Sequence, residues 1–357
     1  MIKKFEILVN GITPIDQKLF LAALFKEHDG RYYFEFDRYT LNPCILDSTL
    51  FWSYSVGHHD VAIAYDNNYP ALNATPGSIG VLYSVEGPKD SIIFVSSNDG
   101  GLRFTNRRVL AVSTHKFRKV ALSYGRSASK NSGRYFAAWE EQQDTISGLG
   151  HIYTSHSDPN FDSEFTSPVQ LDVLDPSLTN LCRNPVIACQ ANNIDNDSTN
   201  LSEVVLFEKY NDATADYDIT GFYNKKAATG TYFNKVNVAA TGHNEMQPDI
   251  AFNEFDSSFV VTYYDSTNQK LPMLRKNLNL ADPDNWEVVS PGYNKTYNIG
   301  TPNPRVSINM DVKQAINGWI GQRSSGNGVT LFNAPYIPPT GISEQNQMDN
   351  VLSLIHI

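Results

Sequence analysis

Short runs of hydrophobic and β-branched residues, separated by polar turns, recur along the chain with a period of about sixty residues. The runs that open the clear repeats have as their first β-branched residues Val61, Val120, Val186, Ile250 and Val306, and a weaker start lies at Ile7. Each opening run is followed by a second and a third run of strand length and, in most repeats, by a shorter fourth. The pattern therefore predicts four short strands per repeat.

Four strands per repeat are typical of the blade of a β-propeller, because one blade exposes two apolar faces that only neighbouring blades can bury. We predict an all-β fold, a single β-propeller over residues 1–336 with six blades of four antiparallel strands. The predicted blades are 5–53, 55–113, 117–174, 182–241, 246–292 and 302–336. The last shows three clear strands. A large β-sandwich or two stacked all-β domains is the alternative, since strand spacing alone does not force ring closure.

Composition limits the possible partners. The formal net charge of the 357 residues is -10, and no basic stripe is present, so we expect no nucleic-acid partner. No apolar run reaches the roughly 20 residues that span a bilayer, so we expect no membrane insertion. Nucleophile elbows, phosphate loops, dinucleotide fingerprints and zincin motifs are absent from the sequence, and no cofactor is predicted.

Residues 97–104 fit the Asp-box pattern Ser-x-Asp-x-Gly-x-x-aromatic, at the predicted turn between the third and fourth strands of a repeat. The residues that match are Ser97, Asp99, Gly101 and Phe104. The aspartate can accept backbone amides, glycine can adopt a positive φ, and the aromatic ring can pack into the blade. Degenerate versions follow at 157–161 and 282–286. The chain thus resembles the sialidase-like, BNR-repeat propellers over most of residues 5–335, and the resemblance implies that the box is structural.

The enzymes of that family bind a carboxylated sugar through three arginines and use a tyrosine nucleophile paired with a glutamate, together with an aspartate acid/base. Guanidinium groups suit this task because they bind carboxylates bidentately. The family's Phe/Tyr-Arg-Ile-Pro motif is missing here, and the nearest strings, at 182–185 and 303–305, lie late in the chain in a different order. Sialidase-type hydrolysis is therefore the alternative interpretation, and catalytic residues stay unassigned.

The repeat alignment suggests a ligand site independently of that family. Residues just before the first β-branched residue of each opening strand should lie near one mouth of the propeller channel, where propellers commonly bind ligands. The predicted ligand-binding residues are His58, Asp60, Lys119, Arg183, Asp249 and Arg305. The competing interpretation is that these groups are solvated or paired with each other in a structural channel.

A metal at His58, His59 and Asp60 is not predicted, because adjacent strand residues point to opposite faces. Cys44, Cys182 and Cys189 lack metal-ligand spacing, and we interpret them as small buried residues, ahead of a Cys182–Cys189 disulfide.

The ends of the chain bear on localisation. Residues 1–4 carry the charge of a signal peptide, but no apolar segment follows. Residues 337–357 form a predicted linker that resembles the start of a type IX secretion C-terminal sorting domain, and we expect a truncated gene product. The sequence thus predicts a secreted or cell-surface propeller that binds a glycan or protein ligand without catalysis. The alternatives are a sialidase-like hydrolase and a structural accessory domain of a larger surface protein.

Overall fold

The computed structural model describes residues 2–10, 18–26, 32–41, 44–53, 57–65, 79–97, 103–104, 106–125, 133–143, 149–158, 165–178, 181–191, 201–225, 234–254, 256–277, 284–290, 304–309, 314–322 and 328–333. Before residue 57 and after residue 306, the description covers strands only. The chain divides into two compact units. The first comprises Met1–Pro185, Asn193–Leu201 and Ala227–Thr229, and the second comprises Val186–Asn192, Ser202–Lys226 and Gly230–Ile357.

The first unit contains three antiparallel sheets in which strand order follows chain order. The first sheet consists of β1 (Ile2–Asn10), β2 (Lys18–Lys26), β3 (Tyr32–Leu41) and β4 (Cys44–Ser53). The second consists of β5 (Val61–Tyr65), β6 (Ile79–Val85), β7 (Asp90–Ser97) and β8 (Asn106–Ser113). The third consists of β9 (Lys116–Gly125), β10 (Arg134–Gln142), β11 (Gly150–His156) and the short β12 (Val169–Gln170).

Two 3-10 turns, Asp172–Leu174 and Pro176–Leu178, follow β12. Strand β13 (Cys182–Cys189) then begins in the first unit, where Cys182 lies opposite Gly150 of β11. Cys182 and Cys189 are both buried thiols, and the Cys182 sulfhydryl donates to the Leu178 carbonyl at 3.2 Å. The interpretation as buried residues is confirmed for these two, whereas Cys44 lies in a strand whose side chains are outside the described residues.

The second unit repeats the same arrangement. Its strands after β13 are β14 (Glu203–Asn211), β15 (Asp216–Asn224) and β16 (Asn234–Ala239), then β17 (Glu245–Asn253), β18 (Ser258–Asp265), β19 (Met273–Asn277) and β20 (Glu287–Ser290). The last sheet has three strands in the described part of the chain, β21 (Arg305–Asn309), β22 (Gln314–Gln322) and β23 (Gly328–Asn333).

The second strands of the four central repeats are buried on both faces, which is the pattern of a sheet covered on both sides. Nearly every residue of β6, β10, β14 and β18 is buried or half-buried. In the first unit, Phe94 and Leu82 of the second sheet share a core with Tyr135 and Trp139 of the third. In the second unit, Leu206 of β14 shares a core with side chains of β17 to β19. Neighbouring sheets are thus held together face to face by apolar side chains.

No helix within the described ranges is long and apolar enough to cross a membrane.

Candidate functional site

His58 and Asp60, two predicted ligand-binding residues, are buried at the start of β5. The His58 Nδ1–H donates to the Ser84 carbonyl at 2.7 Å. The Asp60 carboxylate accepts the backbone N–H of Val120, in the next sheet, at 3.0 Å. Burial lowers the pKa of His58 to about 4, so its imidazole is neutral at physiological pH. Both side chains are thereby committed to joining backbone segments of the first unit.

Asp249 occupies the equivalent position in the second unit. One of its carboxylate oxygens accepts the N–H of Val306 at 2.8 Å, and the other lies 3.5 Å from Arg305 Nη1. The contact is the same as that of Asp60 with Val120. In both cases an aspartate just before the first β-branched residue of one sheet accepts the backbone N–H of the first β-branched residue of the next sheet. The structure therefore brings together Asp249 and Arg305, two of the predicted residues, at a sheet-to-sheet junction.

Where the repeat has no aspartate at this position, a glutamate on the second strand takes over. Glu140 of β10 accepts the N–H of Asn184 at 2.9 Å, and Glu208 of β14 accepts the N–H of Gln247 at 2.8 Å. Both amides belong to residues with positive φ, 52° at Asn184 and 56° at Gln247. We call Asp60, Glu140, Glu208 and Asp249 the carboxylate clasps, since each ties its own sheet to the backbone of the next.

Lys119 and Arg183, the remaining predicted residues, are half-buried beside the Glu140 clasp. Lys119 lies directly opposite Glu140 in the β9–β10 pair. Arg183 immediately precedes Asn184, the residue that donates to Glu140. The structure thus places the backbones of both residues next to the Glu140 clasp in the first unit.

The Asp-box is described only in part. Ser97 is buried at the end of β7, and Phe104 packs against the core that contains Val61, Ile79 and Val81. Asp99 and Gly101 lie outside the described residues.

A set of polar side chains, some buried and some partly exposed, lies in the first unit where β8 turns into β9. Lys116 Nζ lies 3.2 Å from Glu86 and 3.3 Å from Asp90, and His59 Nε2 lies 3.1 Å from Asp90. We call Glu86, Asp90, Ser113, His115, Lys116, Glu141 and Tyr153 the polar row. Its most exposed members are His115, Glu86 and Lys116, whose side chains are 45%, 40% and 32% exposed.

Glu141 is the centre of the other half of the polar row. It accepts a short hydrogen bond from the Ser113 hydroxyl and lies 3.2 Å from His115 Nδ1. Gln143 Nε2 lies 3.3 Å from the same His115 Nδ1, so the imidazole is positioned by two neighbouring side chains. Tyr153 donates to Gln170 at 3.3 Å. Burial, and then the charge and hydrogen bonding of Glu141, raise the pKa of Tyr153, which therefore stays a phenol.

No family model matches the chain, and no curated protein matches it either. Solved structures do. A protein of unknown function from Dyadobacter fermentans DSM 18053 is similar with a TM-score of 0.52 and 8% identity, over 85% of this chain and 84% of that one. The NanB sialidase from Streptococcus pneumoniae is similar with a TM-score of 0.52 and 9% identity, over 90% of this chain. The match spans 65% of the sialidase chain.

The chain has a β-propeller fold. The predicted fold class, an all-β propeller built of antiparallel sheets in which strands consecutive along the chain pair, is confirmed. At this level of identity the two likenesses establish the fold alone. The finer resemblance to the BNR-repeat family and to a sorting domain stays a prediction.

Reasoning from the sequence named Asp60 and Asp249 but missed their role as clasps, and it missed Glu140, Glu208 and the polar row altogether. The clasps were hidden because their partners are backbone amides, which any residue provides. The sequence did contain an indication of the polar row. Glu140 and Glu141 directly follow the apolar run of β10. Ser113, His115 and Lys116 lie at the turn between blades two and three. Polar residues at the ends of neighbouring buried strands mark an edge where side chains converge.

Proposed function

We propose that this β-propeller binds a glycan through the polar row and has no catalytic activity of its own. The observation that carries the proposal is the combination of exposure with fixed geometry at His115, Lys116 and Glu86. Each is partly exposed, yet each is held by a carboxylate or ammonium partner. Fixed donors and acceptors lower the entropy cost of binding a hydroxyl-rich ligand.

The channel-mouth residues are assigned two roles under this proposal. His58, Asp60 and Asp249 support the frame, since His58 hydrogen-bonds a backbone carbonyl of its own blade and the two aspartates accept backbone amides of the following blade. Lys119, Arg183 and Arg305 retain partly accessible side chains that can contact a ligand. A protein ligand at the same residues is the other form of this proposal, and a glycan array that shows no binding favours it.

Sialidase-like hydrolysis is the second candidate, and one observation favours it. Tyr153 and Glu141 interact, as the nucleophile pair of a sialidase-like enzyme would. Two features oppose it. The raised pKa of Tyr153 makes its phenolate harder to form, and the basic members of the polar row are a lysine and a histidine rather than arginines.

We propose further that the protein is secreted or held at the cell surface. This rests on the resemblance of residues 337–357 to a sorting segment, and those residues lie outside the described part of the chain.

Glycan binding is tested by screening the intact chain on a glycan array and measuring the strongest hit by calorimetry. His115→Ala and Glu141→Gln are each expected to weaken binding about 10-fold or more, because each removes a charge-assisted or fixed hydrogen-bonding group. The matched control is His243→Ala, another half-exposed histidine beside a carboxylate, Asp265 at 3.5 Å. It should bind within about twofold of the wild type. Equal affinity in all three variants would reject the polar row as the site.

Catalysis is tested separately with a fluorogenic sialoside and a panel of aryl glycosides. We expect no turnover. Turnover that is lost in Tyr153→Phe would replace the binding proposal with the hydrolase.

A further inference from the structure

In the second unit, the turn between blades four and five is bonded to the hairpins on both sides of it. Asn244 Oδ1 accepts the N–H of Tyr217 at 3.1 Å, at the start of β15. The Asn244 carbonyl accepts the N–H of Ser266 at 2.9 Å, and its own N–H donates to Thr267 Oγ1 at 2.9 Å. One residue thus docks residues 241–244 against the β14–β15 and β18–β19 turns.

Glu245 lies directly beneath this docked turn. Its carboxyl group is 1% exposed, Oε1 accepts a short hydrogen bond from the Thr241 hydroxyl, and Oε2 has no hydrogen-bond partner among the described residues. Glu245 pairs directly with Asp265 across β17 and β18. Side chains in such a pair lie on one face with Cβ atoms about 5 Å apart, so the two carboxyl groups are close neighbours.

The surroundings of Glu245 are dominated by acids. Tyr263 and Asp265 face it from β18, Asp218 from β15, and His243 from the turn itself. Asp216, Lys209 and Lys235 act on Asp218, with Lys209 directly opposite it in the β14–β15 pair. Glu208 on β14 accepts the Gln247 amide. An additional ionised carboxylate beside Asp218 and Asp265, buried and incompletely hydrogen-bonded, is unfavourable unless water can reach it.

We propose that Glu245 is a proton-controlled latch, which keeps the turn 241–244 docked while its carboxyl group is neutral and releases the turn when it ionises. Ionisation requires hydration of the unpartnered oxygen, and Thr241 of the docked turn contacts the other oxygen of the same carboxyl group. Opening the turn breaks the Asn244 hydrogen bonds and leaves the strands of both blades intact.

The pH range of the latch follows from linkage. Burial, then the charges of Asp218 and Asp265, raise the pKa of Glu245 to about 7, against opposing contributions from Thr241 and His243. In the open turn the carboxyl group has its ordinary pKa of about 4.3. The docked state therefore binds more protons between these values, and its stability falls as pH rises from about 4.5 to 7 and is constant above that range.

Hydrogen exchange of the wild-type protein tests the latch. After correction for intrinsic exchange rates, protection of the Tyr217, Asn244 and Ser266 amides should fall about tenfold per pH unit between pH 5 and 7. Amides in the core strands, such as Val205 and Val261, should show no such slope. Turn amides whose protection is independent of pH would overturn the proposal.

Variants locate the responsible group. Glu245→Gln should abolish the slope and keep the turn protected at pH 7, while His243→Ala and Glu203→Gln should retain it. Glu203 is the matched control because it is a buried glutamate of the same unit with a pKa raised to about 8 by burial.

Asp218→Asn provides a second measurement, since removing one like charge should lower the pH at which the slope ends. A slope that survives in Glu245→Gln, or disappears in His243→Ala, would assign the titration to another group.

Discussion

Replacing Tyr135 with alanine is expected to lower the free energy of unfolding by about 4 kcal/mol, in the range found for large aromatic truncations in cores. The Tyr135 side chain is completely buried between blades two and three. Its ring lies 4.9 Å from the rings of both Phe94 and Tyr124, measured between centroids. It also covers Gly80, where an added Cβ would come within 2.5 Å of Tyr135 Cε1. Urea unfolding followed by tryptophan fluorescence measures the loss.

Tyr135→Phe is the matched control, because it retains the ring and its contacts with Phe94, Tyr124 and Gly80. It should cost less than about 1.5 kcal/mol, as shape-conserving substitutions do. If the alanine variant proves as stable as the phenylalanine variant, the aromatic contact does not hold the two blades together.

The strands of this fold were accessible to prediction because the second strands of the four central blades, whose burial the structure describes, are buried on both faces. Such strands appear as short continuous apolar runs, and the run 135–139 lies within the observed strand Arg134–Gln142. The ends were less predictable. Strand β13 begins at Cys182 rather than at Asn184, because Cys182 pairs with Gly150 of the preceding blade. Such pairing depends on a residue distant in sequence.

The candidate site shows a different limit of prediction. Asp60 and Asp249 were predicted from their place in the repeat to bind a ligand, and the structure shows that each accepts a backbone amide of the following blade. Their partners are backbone amides, which leave no mark in the sequence. The same holds for Glu245, whose environment depends on cross-strand register and on a turn fixed by Asn244. Periodicity predicts which residues share an edge, whereas the partner of each polar group requires coordinates.

Replacing Glu208 with alanine is expected to lower the free energy of unfolding by about 3 kcal/mol, because a charge-assisted hydrogen bond is lost and a buried N–H is left without an acceptor. Glu208 is fully buried and accepts the Gln247 amide at 2.8 Å. Gln247 lies in a register shift of the β17–β18 pair with a φ of 56°. That strained backbone, which costs about 1 kcal/mol or more, depends on the clasp to fix it.

Three comparisons separate the clasp from simple packing. Glu208→Gln keeps a carbonyl acceptor and should lose only about 1 kcal/mol, whereas Glu208→Met keeps the volume without the acceptor and should be nearly as unstable as alanine. Asp249→Ala removes a clasp whose side chain is 16% exposed, so water can replace the carboxylate and the loss in free energy of unfolding should be smaller than at Glu208. Chemical denaturation of the four variants measures these free energies and ranks them. A Glu208→Met variant as stable as the wild type would mean that the carboxylate contributes nothing, and that the second unit is held by its apolar core alone.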